Sequence, residues 1–389
     1  MCVQVLCFIN EQANHAAVTA LLVRSLARSP ATRRGRLAVL VGVPAVAIAA
    51  GFAPHWAKSG PLAIQGAAGL LFAAGLALVI GGTAVATRVW GWWRRAGGGS
   101  VVVAATAVVA FVVSPAIAAT NVPRPEIGED PSNVGVDYQD VTLHTSDGVS
   151  LAAWYVESSN RSAVVLLHGA GSTRSDVLDE AAVLAAAGFG VLMVDARGHG
   201  ESGGRAMDFG WHGNTDVAAA TDYLATRRDV DDGRIGVVGL SMGGEEAIGA
   251  SAGNELISAV VAEGATARTA ADEAWLSGEY GVRGALQEGL ERVQDWTTDL
   301  LTSASVPTSL RAAVGSSGDT RYLLITAGTE PDERHAATHI AAGATDRVEV
   351  WTVPAASHTA GLGTAPTEWT DRVVGFLDSV LVPAERDRS

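Results

Sequence analysis

The sequence predicts an α/β domain on a mostly parallel, doubly wound sheet with a helical cap, preceded by three transmembrane helices. Three observations lead there. From Tyr138 onward, short apolar runs alternate with helix-forming stretches, and strands apolar on both faces belong to parallel sheets covered by helices. Before that, residues 37–53, 62–86 and 101–119 are apolar and carry no charge, and about 20 such residues cross a bilayer core as a helix. Charge divides the chain at the same place. The first 119 residues carry a net +8 and the rest −22, within a total of −14.

The apolar third has an orientation written into it. Arg33, Arg34 and Arg36 precede the first stretch, and Arg88, Arg94 and Arg95 lie between the second and third, beside Trp90, Trp92 and Trp93. The loop at 54–61 holds only Lys58, the sole lysine of the chain. Cytoplasmic loops collect arginine and lysine, so the N-terminus and the 88–95 loop are expected inside. Everything after Ala119 is then expected to be extracytoplasmic, on a multi-pass membrane protein. Pro44 and Pro115 are tolerable in such helices. Ala116 and Ala118 form an A-x-A pattern, but two spans precede it, so it reads as span rather than cleavage site.

The expected organisation is a cytoplasmic segment at 1–36, a transmembrane region at 37–119, a linker at 120–137 and a globular domain at 138–389. The first 30 residues read as an amphipathic helix or an over-long start. The linker is rich in proline, glycine and charge and is expected to be extended. The two cysteines, Cys2 and Cys7, sit at the N-terminus, so the globular part uses no disulfide and no thiolate metal site. With no metal-ligand spacing and no phosphate loop, no metal and no cofactor are expected. The acidic surface argues against nucleic acid as a partner.

Within the globular part, 141–145 and 150–156 flank Ser146-Asp147-Gly148 and predict a hairpin. Residues 163–167, 190–194, 235–238, 258–262, 322–326 and 347–353 predict further strands, and 176–187, 211–226, 242–250 and 366–381 predict helices. The stretch 264–319, with Trp275, Leu276, Tyr280, Leu286, Leu290, Val293 and Trp296, reads as the helical cap.

The most informative stretch is Gly239-Leu240-Ser241-Met242-Gly243, between the strand at 235–238 and the helix at 242–250. It matches G-x-S-x-G. A strand that turns at once into a helix forces its middle residue into a strained conformation with an exposed side chain. A Cβ two residues to either side would collide with the adjoining strand and helix. Ser241 is therefore the candidate nucleophile, at a helix N-terminus that favours developing negative charge.

Four segments, 166–171 (L-L-H-G-A-G), 195–202 (D-A-R-G-H-G-E-S), 239–244 (G-L-S-M-G-G) and 357–359 (S-H-T), resemble the α/β-hydrolase superfamily in order and spacing. The resemblance is to its serine-hydrolase branch of dienelactone-hydrolase-like esterases and prolyl-oligopeptidase-like peptidases, and covers 138–389. It implies an oxyanion hole from the backbone N–H groups of Ala170 and Met242, and His358 as general base. It places the acid between serine and histidine in chain order. Asp332, a few residues after Gly328, is the first expectation, with Glu330 as alternative and Glu263 as a third possibility. His168 and the 195–200 turn are expected to be structural, and Trp211 to line the substrate pocket.

Two function classes follow. One is a membrane-anchored serine hydrolase acting on an ester or similar acyl substrate, with a serine peptidase of aminopeptidase type as runner-up; nothing in the sequence separates ester from amide. The other is a non-catalytic binding or sensing module on the same fold. Protein partners are not legible.

Overall fold

Stretches rich in alanine, valine and leucine form the first helices of the computed structural model, which describes residues 30–58 and 60–382. The segment up to residue 29, with Cys2 and Cys7, lies outside the described residues. Helix α1 is Ala31–Gly51, α2 Pro54–Ala57, α3 Leu62–Ala86 and α4 Trp92–Thr120. Three helical spans here, of 27, 25 and 29 residues, are long and apolar enough to cross a membrane. Helices α1 and α3 approach at glycine: a Cβ on Gly42 would lie 2.8 Å from the Gly75 carbonyl oxygen. Small residues permit such backbone contact where lipid offers no hydrophobic drive.

The chain forms two compact units, Met1–Ala53 with Pro61–Ser114, and Pro54–Gly60 with Pro115–Ser389. The second unit contains an eight-stranded sheet. Its strands are β1 Gln139–His144, β2 Ser150–Val156, β3 Ala163–Leu167, β4 Gly190–Val194, β5 Ile235–Leu240, β6 Ile257–Glu263, β7 Arg321–Ala327 and β8 Val348–Val353. Their order is β1-β2-β4-β3-β5-β6-β7-β8. β1 and β2 are antiparallel at one edge, and β4 through β8 run parallel.

Helices follow the strands: α5 Leu178–Ala186, α6 Gly213–Ala225, α7 Met242–Ala250, α8 Leu276–Tyr280, α9 Val282–Asp299, α10 Leu310–Ser316, α11 Pro331–Ala341, α12 Gly361–Thr364 and α13 Pro366–Leu381. β3 and β4 are buried throughout, and their residues divide between two cores. Val165, Val237 and Leu324 pack with Leu224 and Ile340 of α6 and α11. Leu166, Val238 and Leu323 pack with Leu184, Trp369 and Leu377 of α5 and α13. This is the doubly wound arrangement that the apolar strands predict.

Three details go beyond the sequence reading. Residues 122–130 hold no helix or strand, as expected of a linker, yet Arg124 docks them. Its guanidinium donates to the carbonyls of His199, Gly200 and Gly204 at 3.1–3.3 Å, and to that of Ser202. In the cap, α9 turns its apolar stripe outward, with Val282, Leu286 and Trp296 all more than 60% exposed. Its polar side faces the protein, where Glu288 and Asp295 accept the Ser277 and Ala270 N–H groups at 2.7 Å. Finally, Glu245 and Glu246 in α7 are both buried, although charged side chains ordinarily keep to the surface.

Candidate active site

β5 ends at Leu240 and α7 begins at Met242, leaving one residue to turn the chain. Ser241 makes the turn at φ 52°, ψ −122°, a conformation that costs of order 1–3 kcal/mol for a residue with a side chain. The flanking glycines are required. A Cβ on Gly239 would fall 2.3 Å from the Gly243 carbonyl, and one on Gly243 would fall 2.7 Å from the carbonyl oxygens of Leu167 and His168. The Ser241 N–H donates to the Glu263 carbonyl at 2.7 Å, anchoring the turn to β6.

His358 lies in the loop after β8 and reaches Ser241: the serine hydroxyl is 2.9 Å from Nε2. On the other side of the ring, Nδ1 is 2.7 Å from Oε1 of Glu333. The second carboxylate oxygen, Oε2, accepts the Ala327 N–H at 2.7 Å. Glu333 is thus buried and held at both oxygens, while the imidazole side chain is 48% exposed. The hydrogen bond that His358 donates to Glu333 holds the His358 pKa above its ordinary value near 6.5, against the opposing effect of burial. The carboxylate also selects the tautomer, with the proton on Nδ1 and the lone pair of Nε2 facing serine.

The carboxylate beside His358 is therefore not Asp332, the first expectation, nor Glu330. Asp332 is exposed and bonded to the Tyr280 hydroxyl, and Glu330 is exposed at the N-terminal boundary of α11. Helix phase is the reason. Pro331 starts a helix that the sequence reading did not include, and its buried positions are Glu333, Ala336, Ala337 and Ile340. That i, i+3, i+4, i+7 stripe is visible in the sequence and would have selected Glu333. Glu263 is a brace: its carboxylate accepts the Gly361 N–H at 2.7 Å and the Trp369 indole N–H at 2.9 Å, fixing the His358 loop.

Ala170 and Met242 are the residues expected to supply the oxyanion hole. Residue 170 follows Gly169, where a Cβ would lie 3.2 Å from that of Ser241, and Met242 is the first residue of α7. Among the described residues, no protein acceptor takes either backbone N–H.

The remaining motif residues hold the scaffold. His168 Nε2 accepts the Ala196 N–H at 3.0 Å and Nδ1 meets the Gly169 carbonyl at 2.7 Å, and burial lowers its pKa to about 4. Asp195 pairs with Arg174 at 2.9 Å, and Arg197 pairs with Asp147 at 2.8 Å and with Asp216. Trp211 corrects an expectation. It is 4% exposed and donates its indole N–H to the Arg268 carbonyl at 2.9 Å, so it braces the cap segment instead of lining the pocket. Among the described residues, no group of three or more His, Cys, Asp or Glu side chains forms a metal site.

A cavity of about 310 Å³ adjoins the serine, with Ala170 and Met242 in its wall together with Met207 and Phe209. Its lining is almost wholly apolar and includes no carboxylate. Larger hollows, such as one of about 560 Å³ beside Tyr138, lie away from Ser241.

Comparison with known proteins agrees with this geometry. Residues 158–310 match the family model described as serine aminopeptidase, S33. An uncharacterized protein of Mycobacterium tuberculosis is 34% identical over 114 residues, 28% of this chain and 40% of the relative. An α/β hydrolase domain-containing protein of Arabidopsis thaliana is 32% identical over 124 residues, 31% of this chain and 39% of the relative. The chain thus spans about two fifths of the length of these curated relatives. Among solved structures, an esterase of Pyrococcus furiosus superposes with a TM-score of 0.54 at 25% identity, covering 67% of this chain and 98% of that one. Sheet order, turn geometry and these likenesses support a hydrolase and converge on one assignment: the chain belongs to the α/β-hydrolase superfamily.

Proposed function

We propose that this chain is a membrane-anchored serine hydrolase that cleaves an ester, with Ser241 as nucleophile, His358 as general base and Glu333 as the orienting acid. One observation carries the reading: the unbroken hydrogen-bonded line from Ser241 through His358 to Glu333, on a serine held at positive φ.

The serine oxygen attacks the ester carbonyl carbon as its proton passes to Nε2 of His358. The carbonyl oxygen, now an oxyanion, is received by the N–H groups of Ala170 and Met242, each worth roughly 3 kcal/mol in the transition state. Collapse breaks the bond to the alcohol oxygen, and His358 returns the proton to that oxygen. Water, deprotonated by the same imidazole, then releases the acid and restores Ser241. Glu333 orients the ring and stabilises the imidazolium.

An aminopeptidase is the second reading, favoured by the description of the matching family model. It asks for a carboxylate to receive the substrate's α-ammonium group, and the cavity wall contains none. The ester reading is also supported by the likeness to the P. furiosus esterase. The three long apolar helices and the arginine asymmetry support an integral anchor with the hydrolase domain outside the cytoplasm.

An active-site-directed fluorophosphonate tests the enzyme reading. It should label the folded chain once, at Ser241, and Ser241→Ala should abolish both labelling and turnover. Equal labelling of wild type and Ser241→Ala would leave the non-catalytic binding module as the better account.

A further inference from the structure

The cavity beside Ser241 is not made by the hydrolase motifs alone. Facing Ala170 and Met242 are Pro115, Ala118 and Ala119, from the last turns of α4, a 29-residue apolar helix. Val122 and Pro123, just beyond that helix, extend the same wall, and Pro54 and Lys58, between α1 and α3, close it. These segments are held in place by polar bonds. Lys58 Nζ donates to the Gly171 carbonyl at 3.2 Å, and the His55 ring is 2.9 Å from the Asn121 carbonyl. The residues that end and join the apolar helices therefore build one side of the pocket.

Resting on the serine-hydrolase reading above, we infer that this cavity is the acyl site for a long-chain fatty acyl ester, with the end of α4 as its apolar wall. The direction follows from the chemistry. A carbonyl attacked by Ser241 puts its oxygen against Ala170 and Met242, which form part of the cavity wall. The departing alcohol oxygen must face His358 to receive its proton. The cavity wall includes Ala170 and Met242 but neither Ser241 nor His358; it therefore lies on the oxyanion side of the serine, where the acyl chain extends, with the alcohol on the imidazole side. A lining made mostly of proline, alanine, valine, methionine and phenylalanine suits that chain; its polar members are His199 and Lys58, whose ammonium is bonded to the Gly171 carbonyl. Cavities of about 300 Å³ and more hold ligands of this kind. Esters in a bilayer and soluble acyl esters share this chemistry, and the experiment separates them.

The full chain in detergent is assayed with p-nitrophenyl esters from acetate to laurate, and in phosphatidylglycerol vesicles for fatty acid release from the lipid. Each methylene that enters the cavity should raise kcat/KM about fourfold, so the octanoate, about six methylenes longer, should exceed the acetate by on the order of a thousandfold if all of them enter. Fatty acid release from vesicles assigns the source to the bilayer; a steep soluble profile without it assigns the source to soluble esters. Ala118→Trp should move the optimum to shorter chains. Ala119→Leu does the same with less bulk and serves if the tryptophan variant fails to fold; fluorophosphonate labelling of Ser241 reports folding in both. A chain that labels at Ser241 but shows a flat profile, or a profile that neither variant shifts, overturns the acyl site and leaves the hydrolase reading standing. A chain that does not label overturns both.

Discussion

Replacing Glu333 by glutamine is the sharpest test of the site, because the structure dictates which way the amide must face. Oε2 of Glu333 accepts the Ala327 N–H at 2.7 Å, and only a carbonyl oxygen can take over that bond. The amide NH2 is then directed at His358 Nδ1, the position held by Oε1 at 2.7 Å. To accept from it, the imidazole must carry its proton on Nε2, and that proton points at the Ser241 hydroxyl 2.9 Å away. The ring becomes a donor where a base is needed. A wrong tautomer of this kind costs about 10⁴ in kcat, roughly 5 kcal/mol. Asp332→Asn, on an exposed side chain, should stay within about 0.5 kcal/mol, or twofold. Steady-state turnover of a short-chain ester and the rate of fluorophosphonate labelling measure both variants, with circular dichroism to confirm folding. If Glu333→Gln kept more than a tenth of the activity while Asp332→Asn lost more than a hundredfold, the assignment of the carboxylate would be wrong.

Further outcomes follow from the same coordinates. The pKa of His358 is raised above 6.5 by its bond to Glu333, and the neutral ring is the base, so kcat/KM should fall as pH drops through a value on the alkaline side of 6.5; Glu333→Gln should move that limb towards acid, and a limb that does not move would contradict the coupling. Glu246 is buried and its pKa is pushed from 4.5 up to about 8 by desolvation, so it favours the folded state below 4.5 and loses that contribution as pH rises through 8. Glu246→Gln should therefore melt higher than wild type at pH 8, with a smaller gain at pH 5, and a gain that shrinks with rising pH would refute the assignment. After Cys2 and Cys7 are replaced by serine, an impermeant maleimide should label Ser379→Cys but not Gly97→Cys in intact cells; the reverse pattern would put the hydrolase domain in the cytoplasm.

What could be read from the sequence was local. Ser241 was legible because its constraint lies within two residues on either side, where Gly239 and Gly243 leave room for the crossing backbones. The buried strands β3 to β7 were legible because each is a short, mostly apolar run in a chain of alternating type, and the β1–β2 hairpin because Ser146-Asp147-Gly148 marks its turn. The carboxylate beside His358 was missed because no helix was read over α11, so the stripe Glu333, Ala336, Ala337, Ile340 went unused; adjacent helical residues differ by about 100°, which separates Glu333 from Asp332. Trp211 misled for a related reason. Large aromatics line pockets and brace loops alike, and only the position of the Arg268 carbonyl decides. Periodicity also gave α9 an apolar face without saying that Leu286 and Trp296 point away from the domain.

The dispersal of the three side chains has a consequence for how the protein is made. Ser241 and His358 are 117 residues apart in the chain, and Glu333 stands between them, so each arrives from a different strand end. Synthesis delivers the serine first and the histidine last. Until β8 has paired with β7, nothing holds the imidazole beside the hydroxyl, and an isolated serine hydroxyl is a poor nucleophile. On the proposed assignment, the serine emerges from synthesis without its partners, and the hydrogen-bonded line to His358 and Glu333 is complete only once the last strand is in place.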